Sequence, residues 1–210
     1  SAAVIPHPDG DEDQLWLLVE RTVNNATVRS VEYLEKPWDA GDVPTSARYL
    51  DAAMSYAGEQ GSIVSLSQGL FADSVISNVL STSAAHSVRA GDFVRIATCP
   101  SSPTLVGTVF KVTLAFASSM FLADEEGNAI TVPWAADGTD GTWEVVSKTI
   151  TKADHLEGET VGVLADGGPV PSVVVSSGTA TLAAWASKVE LGLSYAAKLK
   201  TLPIEAGTSR

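Results

Sequence analysis

The sequence predicts an all-β protein, and three observations support this fold class. Apolar and polar residues alternate with the two-residue period of strands, for instance at Leu15, Leu17 and Val19 and again across residues 188–193. Clusters of Gly, Asn, Asp and Ser separate these runs at close spacing, as turns separate strands. Hydrophobic residues make up 45% of the chain and charged residues 18%, so the strands can bury a core.

The N-terminal segment carries a strong hairpin signal. Apolar runs at 13–23 and 26–36 flank the pair Asn24-Asn25, and asparagine tolerates the positive φ that a two-residue hairpin turn requires. A lone hairpin buries too little surface to be stable in water. We therefore expect residues 1–48 to be a β-hairpin that belongs to a larger sheet, part of which can lie outside this chain.

The segments after the hairpin are short and less distinct. Residues 49–56 fit either a strand or one turn of helix, and the pattern does not separate the two. Residues 60–66 predict a further strand, and residues 71–85, rich in Ser, Val and Asn, predict a strand with a connector.

The middle of the chain predicts a small β-barrel. Several short apolar or alternating runs lie between polar turns, an arrangement typical of a small closed sheet. The predicted strands are 93–96, 105–116, 120–123, 130–132 and 143–150.

The last part, residues 148–205, predicts a further β unit. Val and Leu alternate with Glu and Gly in its clearest strand, so one face is buried and the other is solvated. The predicted strands are 160–164, 170–175, 179–182, 188–193 and 198–202.

Charge and cysteine content exclude several classes of protein. The chain has 13 Lys and Arg against 25 Asp and Glu, a net charge of −12, and such an acidic surface disfavours ordinary nucleic-acid binding. The one cysteine, Cys99, rules out an internal disulfide framework. No apolar run is long enough to cross a bilayer, and residues 1–10 lack the basic and apolar regions of a signal peptide.

A calcium loop is the first candidate site. Asp9, Asp11 and Asp13 stand two residues apart, and Glu20 takes the place of a twelfth-position ligand. The sixth position is Gln14 instead of the glycine that such a loop needs, and Glu20 lies inside an apolar strand. We interpret the run as a solvated acidic turn.

Two possible nucleophiles also lack the sequence context that a catalytic nucleophile requires. Residues 192–196, Gly-Leu-Ser-Tyr-Ala, approach the nucleophile elbow Gly-x-Ser-x-Gly, but that motif needs a strand–turn–helix setting and β structure is predicted on both sides here. Cys99 has no basic neighbour set by sequence, so we expect a buried, inert thiol.

The three histidines show no metal-binding spacing. His7 and His86 stand alone, and His155 lies near Glu157 and Glu159. That group could bind a metal or transfer protons, but a turn histidine stabilised by neighbouring carboxylates is the simpler interpretation.

The aromatic and acidic residues do not define a sugar site either. No two carboxylates are fixed at a defined separation, as a glycosidase requires. The five tryptophans are dispersed, which favours packing roles over a sugar platform. We therefore expect no catalytic, cofactor-binding or metal residues, and no enzymatic activity. The tryptophans are Trp16, Trp38, Trp134, Trp143 and Trp185.

Residues 15–22, 28–35 and 49–56 and a set of segments within 154–205 follow one another in a characteristic order. Together they resemble the tail nozzle proteins of short-tailed phages and prophages, also called tail tubular protein B or DNA-stabilisation protein. Residues 15–22 and 28–35 resemble the propeller blade that precedes a β module in that family, and 49–56 resembles the strand that follows the blade. The C-terminal part of the resemblance comprises 154–161, 163–167, 178–179, 186–189, 192–195 and 199–205.

The resemblance implies an architecture. Residues 1–48 would be a partial propeller blade, and 49–70 with 148–205 a discontinuous, small β-sandwich-like domain. Residues 71–147 would be an inserted small β-barrel, similar to the barrel modules of ubiquitin-activating enzymes. Insertion at a loop is tolerated when the ends of the insert lie close together.

The resemblance also implies a role. The chain would be a fragment of a structural virion protein, made in the bacterial host cytoplasm and placed in the virion tail. The implied partners are further copies in a homohexameric ring and other tail proteins such as an adaptor ring, with DNA passing through without specific binding. No cofactor, small-molecule substrate or membrane span is implied.

Two alternatives stay open. The chain could be a carbohydrate-binding or carbohydrate-degrading β module of a phage tail or secreted protein, which a cleft with paired carboxylates under aromatic rings would favour. It could also be a spacer module of a cell surface, in which case tandem copies would flank it.

Overall fold

The computed structural model describes residues 2–6, 13–34, 50–70, 76–130 and 141–194. These residues form fourteen strands in three antiparallel sheets and contain no α-helix, so the predicted all-β class is confirmed. Two short 3-10 helices, Pro103–Leu105 and Asp154–Leu156, lie between strands. Across the described segments, no helix is long and apolar enough to span a bilayer.

The first sheet contains the predicted hairpin. Strands β2 (Asp13–Val23) and β3 (Ala26–Tyr33) pair through a two-residue turn in which φ is 47° at Asn24 and 59° at Asn25. A two-residue turn with positive φ at both central residues has a backbone twist that matches the twist of the flanking strands. An additional strand, β1 (Ala2–Pro6), pairs with β2 on its other side. The hairpin prediction is confirmed, and β1 extends it to three strands.

The second sheet closes on itself. The strands pair in the order β5-β6-β9-β8-β7, and β10 pairs with both β5 and β7. We call this closed circuit of six strands the ring; its closure leaves no edge over the paired residues. The strands are β5 (Gln60–Leu70), β6 (Ile76–Thr82), β7 (Phe93–Thr98), β8 (Val109–Phe116), β9 (Ser119–Ala123) and β10 (Thr142–Ile150).

Alternate side chains of the ring strands point inward and form its core. Trp143 is the largest of them, and it is 2% exposed. The other buried members are Ile63, Leu66, Leu80, Val88, Val94, Ile96, Cys99, Leu105, Phe110, Val112, Met120 and Leu122.

Two predicted strands of the ring need correction. The strand predicted at 105–116 begins only at Val109, because Pro103 opens a 3-10 helix and Gly107 has a φ of 85°, which strands do not adopt. Ile130 lies outside any strand and packs against the ring core, and the rest of the strand predicted at 130–132 lies outside the described residues.

Strand β5 belongs to the ring. Residues 60–66 were expected to be a strand, which is confirmed, but the strand continues to Leu70. It pairs with β6 from Ile63 to Leu70. The predicted domain division after residue 70 therefore separates two hydrogen-bonded neighbours, and strand pairing places the start of the ring at Gln60.

The third sheet joins distant parts of the chain in the order β12-β11-β14-β4. Residues 49–56, which fit a strand or a helical turn, contain a strand that pairs with β14. The whole ring separates these two partners in sequence. The strands are β4 (Asp51–Ala57), β11 (Thr160–Ala165), β12 (Gly168–Val174) and β14 (Lys188–Leu193).

A second core lies beside this sheet. Strand β13 (Ala180–Ala186) contributes to it by pairing with the C-terminal end of β10. We call β4 and β11–β14 together the split unit. The predicted strands at 160–164, 170–175, 179–182 and 188–193 are confirmed, with ends shifted, and 198–202 lies outside the described residues. The buried members are Ile150, Ala153, Leu156, Val161, Val163, Val175, Ala180, Leu182, Ala186, Val189 and Leu191.

Strand β10 serves both cores. Its N-terminal half carries Trp143 into the ring, and its last residue, Ile150, lies in the core of the split unit. The register is irregular between Ser147 and Thr149, where the strand pairs with β13. Such an irregularity changes the direction in which the following side chains point. The two cores are therefore linked by a continuous backbone strand.

Candidate functional site

The structure describes two members of the predicted acidic run, Asp13 and Glu20. Asp13 lies exposed at the start of β2, and Glu20 Oε2 accepts a hydrogen bond from Arg29 Nε at 2.9 Å. Asp9 and Asp11 lie outside the described residues. Among the described side chains, no group of three or more His, Cys, Asp and Glu could hold a metal ion.

His155 ties two segments of the split unit together. It lies on the 3-10 helix Asp154–Leu156, and its Nε2 is 2.9 Å from the carbonyl oxygen of Ala52 in β4. Ala52 has a backbone φ of 48°, a value that residues other than glycine rarely adopt. The histidine was interpreted as stabilised by neighbouring carboxylates, and this is wrong, because its hydrogen-bond partner is a backbone carbonyl.

The two neighbouring glutamates have other partners. Glu157 accepts hydrogen bonds from the amides of Ser177 and Gly178, at 2.9 and 2.8 Å, and these bonds lower the pKa of the Glu157 carboxyl. Glu159 Oε1 accepts a bond from the amide of Asn24 at 2.9 Å. Each carboxylate therefore stabilises a turn. Glu157 stabilises the turn at Ser177 and Gly178, and Glu159 stabilises the turn at the tip of the β2–β3 hairpin.

The possible nucleophiles lie in structural positions. Gly192 is buried in β14, and a Cβ built on it would lie 2.7 Å from the backbone oxygen of Asp51. Ser194 follows the end of that strand, and the residues after it, which would supply the helix of a nucleophile elbow, lie outside the described part of the chain. Cys99 is 1% exposed, in agreement with the predicted buried thiol.

The tryptophans separate into different roles. Trp143 lies in the ring core, where His86 contacts it edge-on with ring centroids 5.7 Å apart. Trp16 packs on Tyr33 in the first sheet, at 5.4 Å. Trp185 packs on Phe93, at 4.2 Å, where the ring meets the split unit. Trp38 and Trp134 lie outside the described residues.

An ionic cluster forms the joint between the ring and the split unit. Arg95, on β7, donates from Nε to Glu144 Oε1 and from Nη2 to Asp166 Oδ2, both at 2.7 Å. Asp166 Oδ1 accepts from the amide and hydroxyl of Ser187 and from the amide of Lys188, at 2.9 to 3.0 Å. Asp166 therefore holds its own turn and the arginine of the neighbouring unit together.

A second group of contacts completes this joint. Trp185 Nε1 donates to Glu125 Oε2 at 2.9 Å, and Lys148 Nζ lies 4.5 Å from the centre of the Trp185 ring. Beside it lies a cleft of about 290 Å³, lined in part by Tyr56, Phe93 and Trp185. Burial and the charge of Asp92 raise the pKa of Tyr56.

Sequence reasoning missed the residues of the joint. Arg95 stood out only as one polar position in an alternating strand, and Asp166 only as a turn residue. Asp166 has a φ of 49°, so its place in a turn was readable, but its partner is 71 positions away. Local patterns carry no signal for such a pairing.

Replacing Asp166 by Asn is expected to lower the free energy of unfolding at pH 7 by about 1 kcal/mol, because solvent screens a side chain that is 32% exposed. Burial alone would raise the pKa of Asp166, but bonds from Arg95, Lys188 and Ser187 bring it below its usual value. The stabilisation is therefore complete above the unfolded pKa of about 3.9 and lost as the pH falls through the lower folded value.

Urea unfolding of the wild type and Asp166→Asn over a pH series measures this effect. The difference between the two proteins should be constant near neutral pH and shrink in acid. Glu126→Gln, at an exposed turn residue, is the control and should leave the stability unchanged. A difference that grows in acid would contradict the assigned role.

The first sheet carries most of the exposed large hydrophobic side chains among the described residues. Of thirteen exposed large hydrophobic side chains, eight lie on β1–β3 or directly after β3. Val31 is 69% exposed, and Leu18, opposite it on β2, is 49% exposed. The pairing places four of the eight on each face of the sheet, so both faces expose apolar side chains. Apolar side chains clustered on a protein surface mark an interaction site. The eight are Val4, Ile5, Leu15, Leu18, Val28, Val31, Tyr33 and Leu34.

This uncovered sheet is fixed to the split unit at its hairpin end. Arg21 pairs with Glu32 across the sheet and with Asp51 of β4, in the latter case at 2.9 Å. The Asn24 amide adds its bond to Glu159. The apolar side chains are thus presented on an anchored platform, which is the candidate functional site.

Models of known protein families give no match to this chain, and the curated proteins give none. The residues and this geometry are therefore the basis for a function.

Proposed function

We propose that this protein is a structural, non-enzymatic assembly component, a segment of the tail nozzle of a short-tailed phage or prophage. The observation that carries the proposal is the concentration of eight exposed apolar side chains on the β1–β3 sheet. A three-stranded sheet with so much exposed apolar surface gains stability when other strands or another protein cover it. In a nozzle, this sheet is part of a propeller blade.

The charge of the chain supports a conduit for DNA. With a net charge of −12, the surface attracts few phosphates. A basic wall would hold DNA through release of counterions, whereas an acidic wall lets it slide. The partners in this proposal are further copies in a homohexameric ring and an adjoining tail protein in the virion.

Electron microscopy of the full-length gene product tests this role, with six-fold rings as the expected result. Val31→Glu, which places a charge on the β1–β3 sheet, should abolish these six-fold assemblies of the full-length protein. Val174→Glu is the matched control, because Val174 is 59% exposed on a different sheet. A full-length product that stays monomeric, or rings that bind duplex DNA with a steep salt dependence, would contradict the proposal.

Carbohydrate binding is a second candidate, and the cleft at the joint favours it. Tyr56, Phe93 and Trp185 bring three aromatic rings to one place, as sugar sites do. Against it, Phe93 and Lys148 already pack on the Trp185 ring, and Asp92 is the one carboxylate among the residues that line the cleft. Binding to host polysaccharide that Tyr56→Ala abolishes would favour this candidate over the nozzle.

A further inference from the structure

On one side of the ring the strands carry a single charged residue, Lys111 of β8. Strands β5, β6, β9 and β8 are consecutive neighbours there, and no charged residue occurs in β5, β6, β9 or residues 112–118. Asp73, in the connector between β5 and β6, lies outside the described residues. We call the described outward-facing residues of β5, β6 and β9, together with those of residues 112–116 of β8, the charge-free wall. Lys111 lies on β8 beyond the end of this wall.

The absence of charge is specific to this wall. Charged residues are 18% of the chain, and the other two ring strands carry Arg95, Glu144 and Lys148. Those three side chains form the joint with the split unit. The charge-free wall comprises the strands of the ring that have no part in these ionic contacts.

Apolar side chains occupy the middle of the charge-free wall. Leu114, Phe121 and Val79 lie directly opposite one another on β8, β9 and β6. Phe116 is 55% exposed and Leu114 46% exposed, and the rings of Phe116 and Phe121 lie 6.0 Å apart. Serine and threonine side chains flank this stripe. An apolar centre with an uncharged polar rim is the anatomy of a protein interface.

Charge decides which partner fits. Two copies of a chain with a net charge of −12 repel each other, and the repulsion is weakest where both contact surfaces are uncharged. A two-fold contact places the same patch against itself, so an uncharged apolar stripe is complementary to its own copy. A basic partner would be expected to select an acidic surface instead.

We propose that the charge-free wall is a two-fold docking surface for a second copy of this chain, with Phe116 and Leu114 at its centre. The contact is independent of the β1–β3 sheet and of the nozzle role. Because the wall itself carries no charge, salt strengthens the association by screening the repulsion of the remaining surface.

Sedimentation velocity of the 210-residue chain over a concentration series, at low and high salt, tests the proposal. The wild type should form a dimer that high salt tightens. Phe116→Glu and Leu114→Glu should each weaken the dimer at least about 30-fold, since central apolar residues dominate such contacts. If the charged variants do not fold, Phe116→Ser replaces them in this test, and circular dichroism verifies that it is folded.

Two control variants separate this surface from others. Val174→Glu on the third sheet and Val31→Glu on the first sheet should leave the dimer unchanged. A chain that is monomeric at every concentration overturns the proposal, and so does a dimer that Val31→Glu disrupts and Phe116→Glu does not. Binding of a monomeric chain to phosphatidylcholine vesicles, lost in Phe116→Glu, would identify a membrane surface instead.

Discussion

Replacing Trp143 by alanine is expected to lower the free energy of unfolding by about 3–5 kcal/mol, the range for deleting a large buried aromatic side chain. Trp143 is 2% exposed and is the largest fully buried side chain among the described residues. Its strand, β10, also carries Ile150 into the core of the split unit. We therefore expect the substitution to destabilise both cores together, as measured by urea unfolding.

Leu191→Ala, in the other core, is the matched variant, because Leu191 is also fully buried. Both substitutions should shift the same cooperative transition. Amide hydrogen exchange distinguishes the two possibilities directly. If Trp143→Ala loosens the ring while β11 and β14 keep their protection, the shared strand does not couple the cores.

Replacing Gly58 by alanine is expected to cost roughly 3 kcal/mol, at the upper end of the range for overpacking. A Cβ on Gly58 would lie 1.9 Å from the backbone oxygen of Val145 in β10. The contact is with backbone on both sides, so no side-chain rotation can relieve it. Gly58 also donates its amide to the carbonyl of Ser187 at 2.7 Å, and this bond would be strained.

Gly168→Ala is the control for this substitution. Gly168 opens β12, and a Cβ there would meet its nearest described atom at 3.8 Å, an ordinary contact distance. Thermal unfolding should show a large loss for Gly58→Ala and almost none for Gly168→Ala. Equal stabilities of the two variants would mean that the chain crossing at Gly58 can open without cost.

The sequence indicates the role of one of these two residues and not that of the other. Trp143 lies in a run predicted as a strand, so its place in a core was a reasonable expectation. Nothing near Gly58 indicates that β10 passes over it, since Val145 is far along the chain. A close approach of two backbones depends on the packing of whole strands, which local patterns do not specify.

The candidate interaction surfaces were readable only in part. The Asn24-Asn25 hairpin was expected, and so was the need for a larger sheet. The charge-free wall was not expected, although the uncharged stretches that form it are visible in the sequence. Their strands become one surface only when the ring closes in the order β5-β6-β9-β8.

The sequence alone determined the fold class, most strands and the turns, because the two-residue period and the φ preferences of Asn and Gly act over a few residues. Tertiary structure alone decided two pairings between strands distant in sequence: that β5 joins the ring, and that β10 contributes to both cores. The physical reason is that antiparallel partners are selected by side-chain burial among strands distant in sequence. Several strands of similar pattern therefore stay interchangeable until they are packed together.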